Sequence, residues 1–132
     1  MNQYLLDTAV LIDIERGLAN NDYLIEDESY SSIAAITLAE LRVGLELGSR
    51  DRIDRRKTFL ADVLSLVDVV AYDASVAVEH GALLAHTRRT GTPRGAHDLM
   101  IAATARATGR TIISSDSRAF AELPGVEVIS HR

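Results

Sequence analysis

Tyr4-Leu5-Leu6-Asp7-Thr8-Ala9-Val10-Leu11-Ile12 is the stretch on which the fold turns. A short apolar run stops at an acid and a threonine, and the apolar positions beyond it (Val10, Leu11, Ile14) recur at helical spacing. Asp7-Thr8 is a good helix start, so the segment reads as a strand, an acid at its end, and a helix.

The same alternation continues along the chain. Residues 17–22 read as a turn, and the acidic patch holding Glu26, Asp27 and Glu28 as helical. Residues 31–36 read as a second strand, after which Thr37-Leu38-Ala39-Glu40 opens a helix through Leu41 and Leu45 that stops near Gly48. Residues 50–66 form a long helix with apolar Ile53, Phe59, Leu60, Val63 and Leu64. A strand over 67–72 leads to Asp73, which caps a helix through Val76, Leu83 and Leu84 to Gly91. After the break at Gly91-Thr92-Pro93, His97-Asp98 begins an alanine-rich helix ending at Gly109. Strands over 111–114 and 126–129 enclose a short turn or helix over 116–120. Strands alternating with helices predict an α/β sandwich with a central, mainly parallel five-stranded sheet and right-handed crossovers.

The 132 residues suit one domain, with no repeat and no linker long enough to divide them. Cysteine is absent, which excludes disulfides, thiolate nucleophiles and cysteine-based zinc sites. No apolar run approaches the roughly 20 residues of a membrane-spanning helix, and Met1-Asn2-Gln3 lacks the basic start of a signal peptide. A cytoplasmic protein with no membrane partner is expected. The net charge of −5 argues against a generic nucleic-acid binder. The distribution of that charge points the other way. Residues 80–115 hold Arg88, Arg89, Arg94, Arg106 and Arg110 against one acid, Asp98, for a formal +4 that leaves −9 elsewhere. A basic surface around a carboxylate is what a phosphate-binding catalytic site requires, although for any isolated cluster a solvated charged face is the favoured account.

In parallel sheets, sites form beyond the carboxyl ends of the strands. Asp7 follows the first strand, Glu40 lies in the first turn of the helix after the second, Asp98 opens a later helix, and Asp116 follows the fourth strand. All four map to one edge. Each has a structural explanation as well: Asp7 and Asp116 as caps or turn residues, Thr37-x-x-Glu40 as a capping box, Asp98 as a charge at a helix start. Asp13, Glu15, Asp62 and Glu79 read as solvent-facing helix positions. Four carboxylates brought together repel one another and need a proton or a counter-ion. All-oxygen donors point to a hard cation, magnesium or manganese, which can activate water at a phosphodiester.

The chain resembles the PIN-domain ribonucleases, specifically the VapC-type toxins of bacterial toxin–antitoxin pairs. The resemblance is carried by Leu5-Leu6-Asp7-Thr8-Ala9-Val10-Leu11-Ile12, Ile36-Thr37-Leu38-Ala39-Glu40-Leu41-Arg42-Val43-Gly44, His97-Asp98-Leu99-Met100-Ile101-Ala102-Ala103-Thr104-Ala105 and Ile113-Ser114-Ser115-Asp116, in that order. Phe120 and Pro124-Gly125-Val126-Glu127-Val128 extend it, so it covers essentially the whole chain. It implies a magnesium-dependent endoribonuclease with Asp7, Glu40, Asp98 and Asp116 as metal-binding acids, silenced by a cognate VapB-type antitoxin. It also implies a homodimer in the toxin–antitoxin complex, and RNA products with 5′-phosphate and 3′-hydroxyl ends. Many relatives carry a further acid three residues after the last aspartate, where this chain has Ala119.

Other chemistries fit less well. An aspartyl-phosphate phosphatase needs a second acid where Ala9 stands, and a P-loop needs Gly-Lys-[Ser/Thr], whereas the single lysine, Lys57, follows Arg56. No G-x-S-x-G elbow occurs. His80, His86, His97 and His131 are too scattered for metal-free cleavage, though His97 stands beside Asp98 and Thr8 beside Asp7. The alternative from another class is a PIN-fold binding module without catalysis that acts through its partner.

Overall fold

The structure is a computed structural model that describes residues 2–20 and 29–131. Its elements run β1 (Asn2–Leu6), α1 (Thr8–Glu15), β2 (Ser29–Ala34), α2 (Ala35–Leu47), α3 (Arg50–Leu66), β3 (Asp68–Val70), α4 (Ala74–Thr90), α5 (Ala96–Thr108), β4 (Thr111–Ser114), a 3-10 turn (Ser117–Ala119) and β5 (Val128–Ser130). The strands form one five-stranded sheet in the order β3-β2-β1-β4-β5, and every pairing is parallel.

Neighbouring residues of the central strands serve opposite faces, because strand side chains alternate. Leu5, Ala34 and Ile112 join Val76, Leu83, Leu99, Ala102 and Phe120 on the face covered by α4 and α5. Leu6, Ile33 and Ile113 join Val10, Leu11, Leu41, Leu60 and Val63 under α1, α2 and α3. Both faces are covered, so β1 and β4 carry adjacent apolar residues, Leu5-Leu6 and Ile112-Ile113. The result is an α/β/α sandwich. In α5 the alanines Ala102, Ala103 and Ala105 are fully buried, which lets that helix lie close against the sheet.

Connections pass outward from β1 to β2 to β3, then return across the sheet to β4 and β5. The direction of winding therefore reverses between β1 and β4, and a crevice opens at their carboxyl ends. Asp7 and Asp116 stand on either side of it.

Several boundaries differ from the sequence reading. Ile36 belongs to α2 rather than to β2, since its packing into the α4–α5 face outweighs the strand preference of a β-branched residue. Starting the helix at Ala35 makes Ala34 its cap and moves Glu40 into the second turn, so the expected capping box does not form. The strand expected over 67–72 contracts to Asp68–Val70, a short edge strand. The last strand begins at Val128 instead of residue 126. Glu15 and Glu79 are not solvated positions: Glu15 receives Arg56 Nε and Nη2 at 2.6 and 2.7 Å, and Glu79 pairs with Arg106 Nε at 2.6 Å. The patch holding Glu26, Asp27 and Glu28 lies outside the described residues. Among the described residues, no helix is long and apolar enough to cross a membrane.

Candidate active site

Asp7 is the most enclosed of the acids, at 4% exposure. It caps α1 through Oδ1, which accepts from Val10 N at 2.9 Å, while its own N–H continues the β1–β4 ladder to Ile113 O at 3.1 Å. Its second oxygen, Oδ2, accepts from the buried hydroxyl of Ser114 at 2.6 Å. The same Ser114 Oγ accepts from Asp116 N at 2.8 Å, so one hydroxyl sets the positions of two acids. Burial pushes the Asp7 carboxyl up to about 6; the Ser114 and Val10 hydrogen bonds oppose the rise, and the charges of Asp98 and Asp116 add to it.

Asp98 sits in the first turn of α5, where the helix dipole favours its charge. Its pKa is nonetheless raised, first by burial and then by the charges of Glu40 and Asp116, with His97 acting in the opposite sense. Asp98 folds back over the cap residue Gly95, where a Cβ would stand 2.9 Å from Oδ2. No residue with a side chain fits there unless the carboxylate moves.

Glu40 is held from two sides. Thr8 Oγ1 donates to its Oε1 at 2.7 Å and also lies 3.1 Å from Thr37 Oγ1. His97 Nδ1 lies 3.2 Å from its Oε2. The Thr37 side chain, expected to cap α2, is instead fully buried against Thr8.

The four acids named from sequence thus meet electrostatically at one edge of the sheet. Asp7 feels Asp98 and Asp116, and Asp98 feels Glu40 and Asp116. The sequence reading missed Ser114, Gly95 and the Thr37 contact. Ser114 closes a strand with an unremarkable Ile-Ile-Ser pattern, and nothing local marks it as the partner of Asp7. The donor set is hard oxygen, as magnesium or manganese requires. Among the described residues, however, no three His, Asp or Glu side chains stand close enough to hold one ion as they are placed. The oxygens of Asp7 and Glu40 are turned instead to Val10, Ser114, Thr8 and His97.

A PIN domain pattern matches residues 4–126 of the chain. The chain is 32% identical over 96 residues to the tRNA(fMet)-specific endonuclease VapC of Salmonella typhimurium, a match spanning 73% of this chain and 71% of that protein. To the tRNA(fMet)-specific endonuclease VapC of Shigella flexneri it is 34% identical over 94 residues, spanning 71% and 70%. Among solved structures it is similar to the DNA-bound VapBC of Salmonella typhimurium, with a TM-score of 0.88 and 27% identity over 100% of both chains. With the switch-point acids in place and these likenesses in sequence and fold, the chain belongs to the PIN-domain family, among its VapC ribonucleases.

Proposed function

We propose that residues 1–132 form one PIN-like domain acting as a metal-dependent endoribonuclease toxin, with Asp7, Glu40, Asp98 and Asp116 as its catalytic, metal-binding acids. The observation that carries this reading is the placement of four acids at the carboxyl ends of β1, β2 and β4 and the start of α5. Asp7 and Asp116 are joined through Ser114, and the mutual repulsion of the acids adds to burial in raising the pKa of Asp7 and Asp98. Such a cluster is relieved by a divalent cation, and its oxygen donors suit magnesium or manganese. When bound, that ion would supply positive charge against phosphate oxygens and lower the pKa of a water molecule. The chain's own residues do the positioning. Ser114 and Val10 N fix both oxygens of Asp7, Thr8 donates to one oxygen of Glu40, and His97 lies 3.2 Å from the other.

By the family likeness, hydrolysis leaves 5′-phosphate and 3′-hydroxyl ends. The specificity for which the Salmonella and Shigella relatives are named makes tRNA(fMet) the first RNA to test. A VapB-type antitoxin completes the system in the cytoplasm, silencing a toxin homodimer by placing an arginine or lysine among the same carboxylates.

The decisive experiment sequences RNA ends after brief expression of wild type and Asp98→Asn, alongside melting curves with and without magnesium. Magnesium should raise the wild-type Tm and should do so much less for the variant, which is folded but inactive. Cleavage that persists after exhaustive chelation would refute the metal mechanism. A folded wild type that cuts no RNA would instead leave a PIN-fold binding module acting through its partner.

A further inference from the structure

The structure sorts the five arginines of residues 80–115 by what already occupies them. Arg106 pairs with Glu79 and donates to the Pro124 carbonyl at 3.0 Å. Arg110 precedes β4, at the opposite end of that strand from Asp116, and lies over the Tyr30 ring with 5.7 Å to its centroid. Arg94 is engaged twice, donating through Nη1 to Thr92 O and through Nη2 to Ala121 O, each at 2.8 Å. The expectation that the whole window forms a basic surface around Asp98 therefore fails for Arg106, neutralised by Glu79, and for Arg110, at the far end of β4. Arg94 keeps its charge but has Nη1 and Nη2 committed to carbonyls. Arg88 and Arg89 remain, exposed and without a hydrogen bond or ion pair among the described residues. Arg118, in the 3-10 turn just beyond Asp116, is likewise exposed and unpaired among them.

Placement makes these three a group. The Glu79–Arg106 pair ties the first half of α4 to the last turn of α5, so the two helices run antiparallel. The last turn of α4, carrying Arg88 and Arg89, then lies at the same end as the first turn of α5, carrying Asp98. The joining loop is tightly built: Thr92 N donates to Thr87 O at 3.0 Å, and the Thr90 and Thr92 hydroxyls are 2.6 Å apart. Arg94 bolts this loop to Ala121, directly behind the turn that bears Arg118. Three unpaired arginines thus sit on two segments joined by a fourth, beside Asp98 on one side and Asp116 on the other.

Arg88 and Arg89 also suit the negative end of the α4 dipole. That accounts for their sign, but not for Arg118 or for a guanidinium that links the two segments. A crevice of four acids on a chain of net charge −5 repels a polyanion, and cations set just outside it restore local attraction.

We propose that Arg88, Arg89 and Arg118 form a phosphate rail for RNA, held beside the carboxylates by Arg94. They bind backbone phosphates flanking the one that is cut. The inference rests on the ribonuclease reading above. Phosphate contacts of this kind set register without reading sequence.

The test is a fluorescence anisotropy titration of a labelled RNA hairpin, in magnesium, with full-chain Asp98→Asn protein. Adding Arg88→Gln, Arg89→Gln and Arg118→Gln together should weaken binding roughly ten-fold or more near physiological salt. It should also lower the slope of log affinity against log salt by about 2, at about 0.7 per lost contact. Arg16→Gln, at the far end of α1, should change neither. In the cleaving enzyme the triple substitution should raise KM and leave kcat within about two-fold. Arg94→Lys keeps the charge but cannot span both carbonyls, so it should raise KM in the same way. An unchanged affinity and salt slope in the triple variant would overturn the rail, and a wild-type KM in Arg94→Lys would remove Arg94 from it. A wild type that neither binds nor cuts RNA would take down the ribonuclease reading and the rail with it.

Discussion

The Ser114 hydroxyl donates to Asp7 Oδ2 at 2.6 Å, joining residues 107 positions apart, and accepts from the Asp116 N–H at 2.8 Å. Ser114→Ala leaves a buried carboxylate oxygen without its donor and a backbone N–H without its acceptor. Loss of about 1–3 kcal/mol of stability is expected. Ser114 holds the Asp7 pKa down, so its removal should raise that pKa further and demand more magnesium for the same cleavage rate. Urea midpoints and a metal titration check both effects, and wild-type values in each would reduce Ser114 to a bystander.

The raised pKa of Asp7 fixes the sign of a pH effect in the metal-free protein. Below about 4 the carboxyl is protonated folded or unfolded, and no difference arises. Between about 4 and about 6 the unfolded chain has released the proton while the folded chain keeps it, so stability falls as pH rises and levels off above about 6. The drop from Asp7 should be roughly 2–3 kcal/mol. Asp7→Asn should flatten this part of the curve and be more stable than wild type at pH 7 without metal. Denaturant midpoints from pH 4 to 8 measure it; a stability that rises over that window would show that Asp7 is ionised and satisfied.

Ala119 looks from the sequence like the place to restore a further acid. In the structure it packs, partly buried, against the apolar α4–α5 cluster. Ala119→Asp should therefore fail to rescue an Asp116→Asn enzyme at limiting magnesium. It should also destabilise the protein by about 1–3 kcal/mol, as burying a polar group without a partner does. Rescue of the metal titration would mean that residue 119 turns toward the acids.

Gly44 sits where a Cβ would lie 2.5 Å from Arg56 Nη1. That guanidinium is pinned by Glu15 and by Leu41 O at 3.0 Å, so it cannot move aside without losing those bonds. Gly44→Ala gains helix propensity of about 1 kcal/mol, and the lost charge-assisted bonds of about 1.5–3 kcal/mol outweigh it. The single substitution should destabilise. In an Arg56→Met background the same change should stabilise. A double-mutant cycle with no coupling would contradict the contact.

The sequence conveyed most of the fold because both signals it rests on are local. Apolar runs ending at Asp7 and after Ile113, and helices bounded by Asp73, Gly91 and Gly109, need no knowledge of the third dimension. The carboxyl-edge rule then gathered the four acids on one edge. What stayed hidden was set by partners distant in the chain. Thr37 and Glu40 have capping-box spacing, yet Thr8 competes for both and a packed Ile36 moves the helix start. The arginine-rich window looked uniform because composition does not show which guanidinium groups already hold carbonyls or acids.

The central place of β1, between β2 and β4, also governs when the crevice comes into being. Asp7 is made well before its Ser114 partner, 107 residues further along the chain, and before Asp116. At ribosomal speeds of about 5–20 residues per second, roughly 5–20 seconds separate the two sides. Until then β1 has an open edge where β4 will insert, and no two-sided acid cluster exists. A growing chain thus lacks the paired acids until its β4 segment has been made, and a partner already present can meet the protein as the crevice first closes.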